Sequence, residues 1–323
     1  MTQPGHVIVT GGAGFIGSHL VERLLADGKR VVVIDDFSTG RKENLRCVAD
    51  HTHLRVLQAK VSETQNLPHL LAHAESVYHL AAVVGVELVM RSQVQTIRTN
   101  LDETEIILAT AAEFGVPVLL ASTSEVYGKS QKAAFSEEDD LIIGPPHLSR
   151  WSYACSKLMD EFLALAYWKE RQLPVTIARL FNTVGPRQTG RYGMVLPRFI
   201  ASAQANEPLK VFGDGKQARC FCYVADTVEA LVRLQNCPAA RGEVFNVGSE
   251  EEISITDLAQ AIIGQTGSRS EIVYLPYDQA YSPGFEDMRR RRPVVEKLAR
   301  TVQFRPSTSL TEIIRRTADA YSK

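Results

Sequence analysis

Tyr153 and Lys157 stand four residues apart in the run Tyr153-Ala154-Cys155-Ser156-Lys157, a spacing that puts a phenol and an ammonium on one face of a helix. The ammonium can lower the phenol's pKa electrostatically. A tyrosinate made this way can take the proton of an alcohol while hydride leaves the same carbon. Alone, such a pair is an ordinary helix-surface contact. It gains meaning from Ala121-Ser122-Thr123-Ser124-Glu125-Val126-Tyr127-Gly128, which lies at the end of a strand-like run. Open parallel sheets bind ligands outside the carboxyl ends of their strands, so a hydroxyl in this segment can share the reacting alcohol's hydrogen bond with the tyrosine.

A second constellation supplies a hydride acceptor. The strand-like run His6–Thr10 ends at Gly11-Gly12-Ala13-Gly14-Phe15-Ile16-Gly17, and a helical pattern follows at once. A G-x-x-G-x-x-G loop in that place lets the backbone turn tightly, approach a pyrophosphate and aim a helix N-terminus at its charge. The run Val31-Val32-Val33-Ile34-Asp35 follows about twenty residues on, the spacing of a ribose-binding acid. Asp35 would accept from the adenosine 2′-hydroxyl and repel a 2′-phosphate, which predicts NAD rather than NADP. The positive nicotinamide ring would then add to the effect of Lys157 on Tyr153.

Stepping outward, the elements that must hold these groups alternate. Strands are predicted at His6–Thr10, Val31–Asp35, Leu54–Gln58, Ser76–Leu80, Val118–Ser122 and Val175–Leu180, with helices at Gly14–Asp27, Ser92–Phe114 and Trp151–Gln172. Strand–helix alternation of this kind gives a parallel α/β sheet. Ile97, Leu101, Ile106, Ile107 and Leu108 give the second helix more apolar surface than one buried stripe uses. Either it packs on the sheet, or it meets a second copy of itself. After Arg179 glycines and prolines multiply, with short helices, then strands at Ala218–Tyr223 and Val244–Val247 and a terminal helix at Ser309–Tyr321 behind plausible caps at Ser307, Thr308 and Ser309. The expected architecture is α/β. A Rossmann-type, doubly wound parallel sheet occupies residues 1–180, with residues from about 218 to 248 returning to it. Residues 181–323 form a smaller, mixed α/β substrate lobe.

Composition sets the class. The 323 residues are 45% apolar and 23% charged, with a formal net charge of −1, as in globular proteins without an electrostatic footprint for nucleic acid or anionic membrane. No run has the apolar length to span a bilayer. Five cysteines without a C-x-x-C pair read as free thiols of a reducing compartment. Cys220 and Cys222 would share one face of an extended run, but no further ligand lies near them in sequence, so buried thiols and no metal are expected. Met1-Thr2-Gln3-Pro4 runs into a strand without the basic and apolar regions of a signal peptide, and a cytoplasmic location is the expectation.

Taken together, these motifs resemble the extended short-chain dehydrogenase/reductases of the NAD-dependent epimerase/dehydratase family. The resemblance runs through TGGAGFIG at 10–17, DD at 35–36, HLAA at 79–82, STSEVYG at 122–128, YACSK at 153–157, RLFNTVGPRQ at 179–188 and VFGDGKQARCF at 211–221. In that family bound NAD oxidises C4 of a nucleoside-diphosphate sugar, and the 4-keto sugar epimerises, dehydrates or decarboxylates before hydride returns. The resemblance makes Thr123 the hydroxyl beside Tyr153 and Lys157. It puts Gly11, Gly14, Phe15, Ile16, Gly17, Asp35, Asp36, Leu80, Ala81 and Ala82 at the NAD, and Asn182 and Arg219 at the diphosphate. It also implies a homodimer through helices 92–114 and 151–172. One departure is that the family often has an acid after the third strand to bind adenine, where this chain reads Gln58-Ala59-Lys60-Val61.

Two chemistries compete within the family. Ser124-Glu125, the run Trp151–Cys155, and Gly284-Phe285-Glu286-Asp287 leading to Arg291 and Pro293 resemble UDP-glucuronate decarboxylases and UDP-apiose/xylose synthases. In those relatives an arginine matching Arg291 reaches the substrate; otherwise Arg289–Arg292 is a solvated basic run. Against this, the short run Gly185–Met194 resembles bacterial nucleotide-sugar 4-epimerases. If Arg191 there clamps the sugar carboxylate, it stabilises the charged ground state and opposes loss of CO2; otherwise Arg191 binds a phosphate or solvent. The expectation is an NAD-dependent 4-epimerase of a UDP-uronic acid (UDP-glucuronate/UDP-galacturonate) or a UDP-hexose. A UDP-glucuronate decarboxylase is the alternative, and a non-catalytic NAD-binding protein a third reading.

Overall fold

The computed structural model describes residues 5–83, 92–190, 194–276 and 289–321. The first half contains β1 (His6–Thr10), α1 (Phe15–Ala26), β2 (Val31–Asp35), β3 (Leu54–Gln58), α2 (Leu67–Ala72), β4 (Ala74–His79), α3 (Gln93–Phe114), β5 (Val118–Thr123), α4 (Trp151–Arg171) and β6 (Val175–Leu180). The second half adds β7 (Thr183–Val184), α5 (Val195–Gln204), β8 (Leu209–Phe212), β9 (Ala218–Cys220), β10 (Cys222–Tyr223), α6 (Val224–Gln235) and β11 (Glu243–Val247). It closes with β12 (Glu252–Ser254), α7 (Ile255–Thr266), β13 (Ile272–Leu275), α8 (Glu296–Val302) and α9 (Leu310–Tyr321).

Among the described residues, seven strands form one parallel sheet in the order β11-β6-β5-β4-β1-β2-β3. It is the Rossmann-type sheet expected, and its order reverses between β1 and β4, where a crevice opens at the carboxyl ends of the strands. Both faces are covered. Ile8, Val32, Ile34, Val77, Leu120 and Ile177 pack on one side against Ile107, Leu108, Ala111 and Ala164 of α3 and α4. Val7, Val9, Val33, Leu119 and Phe245 pack on the other against Leu20, Val21 and Leu24 of α1 and Val228 and Leu231 of α6. This two-sided burial is why the central strands read as unbroken apolar runs.

The second half divides its strands. Ala218–Tyr223, expected as one strand, is two, because the chain changes partner at the buried Phe221: β9 pairs antiparallel with β12, and β10 pairs with β7. The segment that enters the large sheet is β11, beside β6. The helices α5, α7 and α9 contribute Leu196, Phe199, Ile200, Leu258, Ile262, Ile313 and Ile314 to the same core that lies under α1.

Candidate active site

The crevice is one cavity of about 780 Å³. Its lining joins Gly11, Gly14, Phe15, Ile16, Gly17, Asp35, Asp36, Leu80, Ala81 and Ala82 at one end to Thr123, Ser124, Glu125, Tyr153, Lys157, Asn182, Arg219 and Arg291 at the other. Arg191 and the run Gly284–Asp287 lie outside the described residues.

At the first end the backbone comes too close for side chains. Gly11 adopts φ +68°, and a Cβ there would sit 2.9 Å from the Ala81 amide nitrogen. A Cβ on Gly17 would overlap the carbonyl oxygen of Gly11. Helix α1 starts at Gly14 without a side-chain cap, which leaves its first-turn amides for an anion. Asp35 at the end of β2 accepts from the amides of Ala13 at 2.8 Å and Phe37 at 2.9 Å. Burial pushes its carboxyl up, and those two amides oppose the shift. Asp36 accepts from the Ser38 amide at 2.8 Å. The Leu80–Val83 stretch is fixed from below: the Val83 amide donates to Asn100 Oδ1 at 2.8 Å, and Asn100 Nδ2 donates to Ser156 Oγ at 3.1 Å.

At the other end β5 runs into a single turn, Ser124–Tyr127, capped by Thr123 Oγ1 accepting from the Glu125 amide at 3.2 Å. That turn aims Glu125 across the mouth of α4. Its carboxylate pairs with Arg291 and with Arg150 Nη2, the latter at 3.1 Å, and Arg291 also donates to Asn182 Oδ1. Burial works to raise the Glu125 carboxyl, yet Arg291 and Arg150 beside it hold it below the usual carboxylate range. It is therefore an anion in the site. Asn182 is oriented by its own donation to the Cys220 carbonyl at 2.9 Å, and Arg219 Nη1 donates to the Ala218 carbonyl at 2.8 Å.

Tyr153 differs from the sequence-based expectation. Its phenol stands above its ordinary pKa, raised first by burial and then by the Glu125 charge, while a hydrogen bond with Thr123 opposes the rise. Lys157 was expected to lower it. Its ammonium instead donates to Asp160 Oδ2 at 2.8 Å, one turn further along α4, with both side chains buried. Burial and the Glu125 charge outweigh what an ammonium already paired with Asp160 can offset.

Beneath the site lies a buried polar scaffold that the sequence reading missed. Arg179 of β6 donates to Glu161 of α4 through Nε at 3.0 Å and Nη2 at 2.8 Å, and through Nη1 to the Tyr127 hydroxyl at 3.0 Å. Tyr127 passes its proton bond to Asn246 Oδ1 at 2.7 Å, and Asn246 Nδ2 donates to the carbonyls of Phe135 at 2.9 Å and Val294 at 3.2 Å. The Phe135 amide in turn donates to the Arg292 carbonyl at 2.8 Å. This string ties the turn that carries Glu125 to the segment that carries Arg291. Arg150 was missed as well. Its partner is twenty-five residues away in the chain, so spacing carried no signal.

With this geometry the comparisons with known proteins agree. The profile of the NAD dependent epimerase/dehydratase family matches residues 7–248. The chain belongs to this family. It is 41% identical over 311 residues, covering 96% of this chain and 95% of the relative, to UDP-N-acetyl-alpha-D-glucosaminuronate decarboxylase of Bacillus cytotoxicus. It is 36% identical over 320 residues, covering 98% of this chain and 72% of the relative, to UDP-glucuronic acid decarboxylase 1 of Danio rerio. Among solved structures, UDP-glucuronic acid 4-epimerase from Bacillus cereus, in complex with UDP-glucuronic acid and NAD, superposes with a TM-score of 0.88 at 29% identity, covering 98% of this chain and 99% of that one. The cofactor of this epimerase/dehydratase family member is NAD. The first end of the cavity fits it: the Gly11–Gly17 cradle has no room for a Cβ at Gly17, and the uncapped start of α1 faces the same space.

Proposed function

We propose that the protein decarboxylates a UDP-uronic acid, UDP-glucuronate or its 2-acetamido analogue, through a transient 4-keto sugar. The observation that carries this reading is the Glu125 carboxylate, kept ionised in the cavity between Arg291 and Arg150 and close enough to Tyr153 to raise its phenol. The identity to decarboxylases over nearly the whole chain supports it. The sequence reading put a 4-epimerase first, on the strength of Arg191. Glu125 and Arg291 shift the balance to the alternative.

Bound in the Gly11–Gly17 cradle, NAD would supply the acceptor for the C4 hydride and the means of its return. Tyr153 accepts the O4 proton, and Thr123 holds the oxygen by a second hydrogen bond. A ketone at C4 makes the C5 carboxylate that of a β-keto acid, so the C5–C6 electrons can pass to O4 as CO2 leaves. The negative charge then moves from the carboxylate toward O4, where Thr123 and the protonated Tyr153 donate to it. Glu125 occupies the guanidiniums of Arg291 and Arg150, which would otherwise be able to stabilise the substrate carboxylate in its ground state and so oppose the loss of CO2. Asn182 and Arg219 hold the diphosphate end, and Arg291 and Arg150 keep Glu125 charged.

The test is product analysis with UDP-glucuronate and UDP-N-acetylglucosaminuronate. Release of CO2 with formation of a UDP-pentose is expected, and Glu125→Gln should slow it by roughly ten- to a hundredfold, the worth of a charge-assisted contact. The structural likeness to a UDP-glucuronic acid 4-epimerase favours a second reading. Under it the carboxylate is retained, the product is the C4 epimer, and Arg191→Ala weakens UDP-glucuronate far more than UDP-glucose. An NAD complex without turnover on any of these substrates would leave the non-catalytic reading.

A homodimer and a cytoplasmic location belong to the same proposal. Val94 and Ile97 on α3, and Met159 and Phe162 on α4, are exposed although apolar, Phe162 at 62% and Val94 at 73%. Two helices with an unburied apolar stripe suit a twofold four-helix contact. Sedimentation should find a dimer at micromolar concentration, and Phe162→Glu should yield monomers. A wild-type monomer would refute the dimer. No described helix is long and apolar enough to cross a membrane.

A further inference from the structure

The acid that holds Lys157 has no part in the chemistry derived so far. Asp160 lies on α4 one turn beyond Lys157, with a side-chain exposure of 0% against 2% for its partner. Its Oδ2 takes the Lys157 ammonium at 2.8 Å. Its Oδ1 is buried and has no hydrogen-bond partner among the described residues. A buried carboxylate whose second oxygen lacks a full hydrogen bond is costly, and the Thr104 hydroxyl acts on it from α3. The Ala81 amide donates to Thr10 Oγ1 at 3.2 Å, so the Thr10 hydroxyl can give its proton to His79 Nδ1 at 2.8 Å. His79 is neutral, its pKa lowered to about 3 by burial and by Lys157. With Nδ1 accepting, its Nε2–H donates to Thr104 Oγ1 at 3.2 Å, which leaves the Thr104 proton to point onward, and that hydroxyl acts on the Asp160 carboxyl. The string thus runs from the end of β1, past the Leu80–Ala82 wall of the cofactor site, to Asp160.

We propose that Asp160 is the positioning residue of the acid–base pair. By holding the Lys157 ammonium and offsetting its charge, it sets how readily Tyr153 gives up its proton. This rests on the reading of Tyr153 as the proton acceptor. The charged groups acting on Tyr153 include Glu125 from the turn after β5, Asp160 on α4 and Arg291 from the C-terminal segment, with Lys157 four residues along the same helix. Those facing Asp160 are Lys157 and Glu161 on its own helix, with the uncharged Thr104 from α3. Loss of the Asp160 charge removes an anion near the phenol and releases Lys157 toward it. Both changes stabilise tyrosinate, so the effect on Tyr153 has one sign.

The experiment is the pH dependence of kcat/KM in Asp160→Asn and Asp160→Ser, neutral replacements of different size, so that one remains if the other does not fold. Asp160→Glu, which keeps the charge, serves as the conservative control. The rate rises with pH as Tyr153 deprotonates. In the neutral variants that limb should move about one unit toward acid, and below the limb kcat/KM relative to its own plateau should be roughly tenfold above wild type. Asp160→Glu should return the limb toward the wild-type position. A limb that stays in place in a folded neutral variant, whatever the loss in plateau rate, overturns the proposal and makes Asp160 a structural residue. If Tyr153→Phe retains activity, it is the assignment of the base that fails, so the two outcomes are distinguishable.

Discussion

Tyr153→Phe should lower turnover by roughly two to four orders of magnitude, the usual worth of a positioned general base, with little change in stability. The phenol lines the cavity and its hydroxyl works with Thr123 at the reacting end, so the ring of phenylalanine fills the same space. What is lost is the group proposed to take the O4 proton. Binding of the nucleotide-sugar should change little, because the residues proposed to hold the diphosphate are Asn182 and Arg219. Steady-state kinetics with UDP-glucuronate and isothermal titration of the variant separate the two effects. Activity within a factor of ten of wild type would place the base elsewhere.

Arg179→Ala should cost the fold about 3–5 kcal/mol, the penalty for stripping the partner from a buried charge. Arg179 is 5% exposed and makes four hydrogen bonds to side chains, three of them to Glu161, which is 3% exposed. Without the guanidinium, Glu161 keeps, among the described residues, the Ser122 hydroxyl as its side-chain partner, and Tyr127 loses the donor that orients it toward Asn246. The midpoint of urea unfolding should fall accordingly. Since the same string carries Glu125 and Arg291, activity in the remaining folded enzyme should fall too. A loss under 1 kcal/mol would mean that water or a protonated Glu161 takes over the role of the pair.

The sequence was most legible where one local rule determined one local structure. Short β-branched, apolar-rich runs located β1, β2, β3 and β6 to the residue, most plainly for β1 and β2, which are buried nearly throughout. The glycine spacing before α1 fixed the cofactor end for a similar reason: the close approach of Gly11 to Ala81 and of Gly17 to Gly11 tolerates no side chain. The Tyr153–Lys157 spacing was also local, and it placed both groups on the cavity wall. Ala218–Tyr223 was less legible, since a single extended pattern cannot report that its two halves pair with different strands.

The sequence by itself determined which groups are present and which face of which element they occupy: a Rossmann sheet, a cradle for NAD, and a phenol and an ammonium on one helix. Only the tertiary structure decided their states of charge. Lys157 faces Asp160, Glu125 lies between Arg291 and Arg150, and Arg179 is buried on Glu161. Most of these partners are 18 to 166 residues apart. The physical reason is that dihedral preferences and periodicity act within a few residues, whereas desolvation and Coulomb interaction depend on which groups the fold brings within a few ångströms of each other and how much water it removes.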